Sequence, residues 1–589
     1  MSVRNLEALL RPASVALVGA SEREGSLGCV VLRNLRAGGF KGPIWAVNDT
    51  HESIASALAW HDIASLPAAP DLAVICTPAL AVPGIIAELG AKGTRAAIVL
   101  SAASQAPALP GEPTLEQAMR DAARPYLLRI LGPNCMGALV PGVGLNASFA
   151  PGNAILGKLA FVTQSGALAA AMLDWANARG IGFSHCISLG DSADVDVSDL
   201  LDYLASDGDT RAILLYLESV GAARKFMSAA RAAARNKPVI VVKAGRATDG
   251  AIAAASHASA RAGSDRVFSA AIRRAGMLRV DTLEALFDAA ETLAWARPIQ
   301  GRRLAIVTNG GGAGVLACDA LSRDGGQLAA LSETTRAALD RCLPPNRSHG
   351  DPVDISSDAP VSRYQDALRI LLAAPEVDAL LFIHAPTAIV PADAIAIACL
   401  PLLQQTAKPA LACWLGGAAV AAARSRCWAG ALPCYETPER AVAAWMQLVA
   451  YADNQRSLQE VPYMPSDDLP ADRERAMRVF DQAIAQGREW LDASQVETLL
   501  AAYRIPTLPS RLAHDVEEAV TLATRLGFPV VLKIVSPQIV HKSDVGGVAL
   551  GLSSEDDVRR AVAAMRDNMA RLMPGAELQG FQVQSMALR

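Results

Sequence analysis

Lys158–Leu168 reads KLAFVTQSGAL, and Arg303–Gly312 reads RLAIVTNGGG. Each begins with a basic residue, continues through an apolar run to Val-Thr, then an amide and glycine, and leads into an alanine-rich stretch. An apolar run that ends in a small-residue turn before a helix is the strand–turn–helix unit of a parallel sheet. The likeness continues downstream in order. Ile213–Ser219 (ILLYLES) matches Leu380–Pro386 (LLFIHAP), and Lys237-Pro238 before VIVVKAG matches Lys408-Pro409 before ALACWLGG. Ordered matches at similar offsets predict two copies of one flavodoxin-like domain, a duplication and not a solenoid.

Working outward, the same alternation of strand and helix precedes the repeat. Ser14–Val18, Pro43–Val47, Leu72–Cys76, Ala96–Leu100 and Leu127–Leu131 read as strands of a Rossmann-like domain over residues 1–145. The two copies then occupy 146–297 and 298–460. A polar stretch near Tyr463–Glu474 marks a linker over 461–485, and residues 486–589 form a last α/β segment. In it, Asp492–Arg504 is expected as a helix whose start Glu497 helps to cap, and Gly527–Ile534 as a strand bearing Lys533. The fold class is multidomain α/β.

The chain has 589 residues, 52% of them hydrophobic and 19% charged, which excludes a disordered chain. Apolar runs such as Asp378–Ile383 fall well short of the ~18–20 residues a membrane span needs, so no membrane partner is expected. The net charge is −4 and no basic block stands out, so no nucleic-acid partner is expected. Met1–Arg11 is followed by no apolar leader segment, and a cytoplasmic location is expected. The ten cysteines show no CxxC and no zinc spacing with histidine, so they read as reduced, packed thiols, and no metal site of this kind is expected.

Glycines 19, 25 and 28 surround a strand–helix turn that either presents N–H groups to phosphate or merely permits tight packing. Gly132–Gly137 (GPNCMG) places Asn134 at the strand edge where α/β domains bind ligands, or in a self-bonded turn. The repeated turns at Gln164-Ser165-Gly166 and Asn309–Gly312 set small residues at helix starts, where anions gain from unpaired N–H groups. His257 lies in AAASHASARAGSD (Ala253–Asp265), a stretch too small to bury it, and reads either as a solvated loop histidine or as a mobile nucleophile. Glu218, at a strand's carboxyl end in the same copy, is placed to fix the imidazole tautomer and leave the other nitrogen nucleophilic. The matching turn of the second copy, His384-Ala385-Pro386, has no carboxylate. Lys533 on an apolar strand calls for an anionic partner or a path to solvent, and His541–Asp544 with Gly546-Gly547 forms a polar glycine loop.

The ordered set VGAS, GPNCMG, TQSGAL, LGDSADVD, LYLES, KPVIVVKAGR, SHASARAGSD, TNGGG, DPVDI and VLKIVSPQIVHKSDVGGV resembles the nucleoside-diphosphate-forming acyl-CoA synthetases, the ADP-forming acetate–CoA ligases of the succinyl-CoA synthetase superfamily. The resemblance implies a CoA-binding Rossmann domain, two flavodoxin-like domains and an ATP-grasp domain, of which 486–589 would be the first lobe. It implies that His257 is phosphorylated and carries phosphate between two sites, with Glu218 as its carboxylate partner. Ser165, Gly166, Gly310, Gly311 and Gly312 match phosphate-binding elements. Gly19, Ser21, Thr77, Pro78 and Asn134 fall in CoA-binding segments, and Lys533 and His541 match nucleotide-binding positions.

The implied activity is reversible synthesis of an acyl-CoA from a carboxylate, CoA and ATP, through acyl phosphate and phosphohistidine. The alternative is a CoA- or acyl-CoA-sensing module, related to fusions with a protein acetyltransferase. The pair His257 and Glu218 favours catalysis. Departures from the family pattern are Ser-His-Ala-Ser-Ala-Arg around His257, Ala102–Gln105 in place of Gly-Phe-x-Glu, Asn48-Asp49 in place of Asn-Pro, and Gly190-Asp191 in place of Gly-Asn. They bear on substrate identity and CoA contacts. The implied cofactors are CoA, ATP or ADP, and magnesium. The carboxylates after Lys533 (Asp544, Glu555, Asp556, Asp557, Asp567 and Glu577) make no evident magnesium set. The nucleotide site is therefore expected to need a longer chain or a separate subunit, in a homo-oligomer or with a partner.

Overall fold

A computed structural model describes residues 3–55, 57–102, 113–247, 249–250, 264–344, 350–460, 471–488, 490–536, 538–539 and 541–587. The chain divides into two compact units, Met1–Glu460 and Val461–Arg589.

The first sheet holds β1 (Val15–Val18), β2 (Ile44–Val47), β3 (Ser53–Ile54), β4 (Ala57–Trp60), β5 (Leu72–Ile75), β6 (Ala96–Val99) and β7 (Arg129–Leu131), in the order β3-β4-β2-β1-β5-β6-β7. Apart from the β3–β4 hairpin its pairs are parallel. Burial of β1, β5 and β6 on both faces explains their unbroken apolar runs.

The second sheet runs β14-β13-β12-β10-β11-β8-β9. Its strands are β8 (Gly137–Val140), β9 (Leu145–Ser148), β10 (Leu156–Thr163), β11 (Phe183–Ser188), β12 (Ala212–Leu217), β13 (Val239–Lys243) and β14 (Leu278–Val280). The hairpin β8–β9 straddles the boundary expected at residue 145, and both strands belong to this sheet, because β8 pairs antiparallel with β11. The first sheet ends at Leu131. Local periodicity identifies a strand but not the sheet that receives it.

The third sheet contains β15 (Arg303–Thr308), β16 (Gln327–Leu328), β17 (Val353–Asp354), β18 (Ala379–His384), β19 (Ala410–Trp414) and β20 (Cys434–Tyr435), in the order β16-β15-β18-β19-β20 with β17 beside β15. Strand for strand this repeats β11-β10-β12-β13-β14. Helices Gly166–Ala178 and Gly311–Arg323 follow β10 and β15 in the two copies. Val15, Leu17 and Val74 of the first sheet share one core with Val162, Ile187 and Leu215 of the second. Their sheets are thereby fixed to each other.

The unit Val461–Arg589 opens with helices Arg473–Ala485 and Ala493–Ala502. The first of these occupies much of the stretch expected as a linker; residues 461–470 lie outside the described residues. Asp492 and Gln495 form the capping box of the second helix. Glu497, expected to help cap it, instead accepts from Ser510 Oγ at 3.2 Å, because the N3 position that reaches the N-cap is residue 495. An antiparallel sheet follows in the order β21-β24-β22-β23, from β21 (Ser510–Ala513), β22 (Val530–Val535), β23 (Val548–Leu552) and β24 (Gly580–Ser585). Helices Val516–Leu526 and Glu555–Leu572 pack Val520, Ala523, Val558 and Val562 against Leu532, Ile534 and Phe581. Among the described residues no helix is long and apolar enough to cross a membrane.

Candidate functional site

The carboxyl edge of the first sheet is built from the loops after β1, β5, β6 and β7. Gly19 leaves β1 at φ +84. A side chain on Gly28 would place its Cβ 2.1 Å from the Gly19 carbonyl oxygen, so glycine there lets the helix Leu27–Ala37 start against the turn. Ser26 caps that helix by accepting from Cys29 N–H at 3.3 Å. Ser21 Oγ accepts from Arg23 N–H at 3.1 Å. Ser101, at the end of β6, donates its hydroxyl to the Thr77 carbonyl and accepts Asn134 N–H at 3.0 Å on its own carbonyl. Gly19, Thr77 and Asn134 therefore line adjacent strand ends, with exposed Pro78 beside Thr77. Buried Thr77 Oγ1 has no hydrogen-bond partner among the described residues. A buried hydroxyl without a partner suits a polar ligand at this edge.

Asn134 reaches beyond its own sheet. It stands at φ +56 and donates its side-chain amide to Asp191 Oδ1 at 3.3 Å. Asp191 N–H donates to the Pro133 carbonyl at 3.0 Å, and Ala193 N–H to the Gly132 carbonyl at 2.9 Å. Met136 N–H donates to Ser188 Oγ at 3.1 Å, beside Gly166. The GPNCMG turn is thus docked on the loop after β11, next to the first small-residue turn of the duplicated domains. Ser188 does this joining and Ser101 ties the same turn to Thr77 of its own sheet; a single serine beside a strand end gives no signal of either role.

The two repeated turns have the same internal wiring. Thr163 Oγ1 accepts Ser165 N–H at 3.0 Å, and Thr308 Oγ1 accepts Gly310 N–H at 3.0 Å. The following amide ties each turn to the next strand end. Gln164 Oε1 accepts Glu218 N–H at 2.6 Å and Ser219 N–H at 3.0 Å, while its Nε2 donates to the Ser219 carbonyl at 3.1 Å. Asn309 Oδ1 accepts Ala385 N–H at 2.8 Å and its Nδ2 donates to the Ala385 carbonyl at 2.8 Å. Glu218 and Ala385 are therefore equivalent positions, and only the first copy presents a carboxylate.

Ser165 caps the helix Gly166–Ala178, whose first N–H groups face the same edge as Glu218. Glu218 is half-buried, and among the described residues its carboxylate makes no hydrogen bond or ion pair. His257 lies outside the described residues. At the second turn, Asp354 Oδ2 lies 2.9 Å from where a Cβ on Gly311 would stand, and Gly312 is open. In that copy His384 is buried behind Ala385 and bonded through Nδ1 to Tyr364 Oη at 3.1 Å; burial lowers its pKa to about 4. It is a neutral core residue.

In the second unit Lys533 is half-buried on β22 and donates to Gln584 Oε1 at 2.8 Å. Its partner is a neutral amide, and among the described residues no carboxylate forms an ion pair with it. Exposed His541 occupies the N-cap position of the short turn Lys542–Val545, with no side-chain capping bond among the described residues. Gly547, expected in a loop covering phosphates, is buried, and a Cβ there would fall 2.4 Å from Ile534 Cδ1; it packs the loop onto β22. Among the described residues no group of three or more histidine, cysteine or acidic side chains is arranged to hold a metal ion.

Comparison with known proteins agrees with this architecture. Family models match residues 13–141 (CoA binding domain), 156–293 (succinyl-CoA ligase like flavodoxin domain), 304–445 (Ligase-CoA domain) and 482–589 (ATP-grasp domain). The ADP-forming acetate–CoA ligase I of Archaeoglobus fulgidus is 36% identical over 588 residues, 99% of this chain and 82% of that protein. The alpha subunit of the ADP-forming acetate–CoA ligase I of Pyrococcus furiosus is 36% identical over 454 residues, 76% of this chain and 98% of the subunit. A structure of the dinucleotide-forming acetyl-coenzyme A synthetase 1 of Ca. Korarchaeum cryptofilum, in complex with phosphate and ADP, superposes with a TM-score of 0.71 at 34% identity, covering 78% of this chain and 99% of that one. With its four domain types in this order and that identity over nearly its whole length, the chain belongs to the family of ADP-forming acetate–CoA ligases, the NDP-forming acyl-CoA synthetases.

Proposed function

We propose that this chain, completed at its nucleotide site by a longer chain or a separate subunit, makes an acyl-CoA from a carboxylate, CoA and ATP, reversibly, with His257 as the phosphoryl carrier. The observation that supports this most is the Gln164 bridge. It sets the free carboxylate of Glu218 beside the capped start of the helix Gly166–Ala178, while the Asn134 turn of the first sheet is docked next to Gly166. A nucleophile's orienting carboxylate, an anion-binding helix start and a CoA-type sheet edge then share one locality.

The chemistry follows from these residues. Glu218 accepts one imidazole N–H of His257, leaving the other nitrogen to attack the γ-phosphorus of ATP; the bond to ADP breaks as the P–N bond forms. A carboxylate oxygen of the substrate then takes the phosphoryl group and frees the imidazole. CoA thiolate attacks the acyl carbon, the C–S bond forms and phosphate departs. N–H groups of Ser165, Gly166 and the Gly310–Gly312 turn are assigned to phosphate oxygens. Gly19, Ser21, Thr77, Pro78 and Asn134 are assigned to CoA, and Lys533 with His541 to the nucleotide. Magnesium would screen the nucleotide phosphates when bound. Burial pushes the thiols of Cys76 and Cys135 up to about 12, so neither competes as a thiolate near that edge. The ten free cysteines suit a reducing cytoplasm.

The test is labelling with radioactive acyl phosphate, or with acetyl-CoA plus labelled phosphate. Acid-labile, base-stable phosphate should appear on the wild-type chain and vanish in His257→Ala. Undiminished labelling of that variant would overturn the assignment.

A further inference from the structure

Lys243 ends β13 at the carboxyl edge of the second sheet, paired in register with Leu217, the residue before Glu218. Its residue surface is only 5% exposed. The ammonium donates to the carbonyl of its own neighbour, Ala244, and lies 5.6 Å from the centre of the Phe268 ring. Among the described residues no carboxylate forms an ion pair with it. The nearby Asp265 is already engaged by Arg279 at 2.8 Å. Among the described residues the Ala244 carbonyl is the one acceptor of an ammonium that can donate three hydrogen bonds. Lys237, by contrast, donates to two carbonyls, those of Leu204 and Asp207.

A buried cation without a counter-charge is costly and is retained where something else completes it. The duplication shows what accompanies it. In the second copy His384 and Trp414 are the register pair that answers Leu217 and Lys243, and Ala385 stands where the first copy has Glu218. The lysine and the carboxylate are present together in one copy and absent together from the other. A carboxylate that orients an imidazole also repels a phosphoryl group arriving at it, and inside a low-dielectric edge that repulsion is large. A cation on the neighbouring strand end offsets it.

We propose that Lys243 is a phosphate-binding residue of the acyl-side site: its charge and its N–H donors hold the phosphoryl oxygens exchanged beside Glu218. This rests on the phosphohistidine reading above. The experiment measures phosphate-dependent release of CoA from acetyl-CoA, without nucleotide, in wild type, Lys243→Met and Lys243→Arg, alongside phosphate labelling of the wild type. The methionine variant should raise the KM for inorganic phosphate on the order of 10–100-fold, with CoA affinity unchanged, and arginine should restore most of the loss. Its thermal midpoint should not fall, since an unpaired buried charge has been removed. An unchanged phosphate KM in Lys243→Met would overturn the proposal. So would a lowered thermal midpoint in both Lys243→Met and Lys243→Gln, which would make the lysine structural. Absence of labelling in the wild type would instead remove the phosphohistidine reading itself.

Discussion

The side-chain carbonyl of Gln164 accepts the backbone N–H of Glu218 at 2.6 Å, across the gap between two parallel strand ends. One amide therefore holds both the turn that starts a helix and the turn that presents a carboxylate. Gln164→Ala removes this link and its two companions to Ser219. We expect phosphate labelling to fall by ~10–100-fold, as for other orienting partners, with little change in global stability. Asn309→Ala, the equivalent change in the second copy, should have a smaller effect, since the Ala385 turn carries no carboxylate. Quantitative labelling of both variants checks this.

Glu218→Gln keeps the shape of the turn but removes the charge proposed to stabilise a phosphorylated imidazole. The rate of labelling from acyl phosphate should fall by ~10–100-fold, while CoA affinity stays within about twofold of wild type. Single-turnover labelling and CoA titration separate the two quantities. Equal losses in both would mean the carboxylate supports the fold and not the phosphoryl transfer.

Gly28→Ala introduces a Cβ 2.1 Å from the Gly19 carbonyl oxygen. Backbone cannot yield there as a flexible side chain would, so the helix Leu27–Ala37 must shift. A destabilisation of about 1–3 kcal/mol is expected, with weakened CoA binding, because the displaced turn is the one at the sheet edge. Denaturant unfolding and CoA titration of the same sample test both.

Asp351 contributes a pH dependence. Its Oδ1 accepts Ile306 N–H at 3.1 Å, its Oδ2 has no partner among the described residues, and burial raises its pKa from 3.8 to about 7. Between those values the folded state binds the proton and the unfolded state does not, so stability decreases as pH rises from about 4 to 7. Asp351→Asn keeps the accepting oxygen and removes the charge. It should leave stability near pH 4 almost unchanged and increase it at pH 8 by on the order of 1–4 kcal/mol. Calorimetry at the two pH values measures the difference; a variant less stable at pH 8 would contradict it.

The sequence by itself determined the duplication, the α/β class and the order of the domains. Those features are written in local periodicity and in motif order, and a strand–turn–helix unit needs only its own residues to form. It also marked Ser165, Gly166 and Glu218 as residues at strand ends. The tertiary structure decided where the parts go. It assigned β8 and β9 to the second sheet, since hydrogen-bond partners far along the chain choose a strand's sheet. It showed Gln495 and not Glu497 closing the cap after Asp492, because side-chain reach at N3 is set by helix geometry. It brought Asn134 to Asp191 and Met136 to Ser188, and it buried Lys243 in register with Leu217, with no ion pair to it among the described residues. Such proximities come from packing whole sheets against each other, and no local pattern in a single chain encodes them.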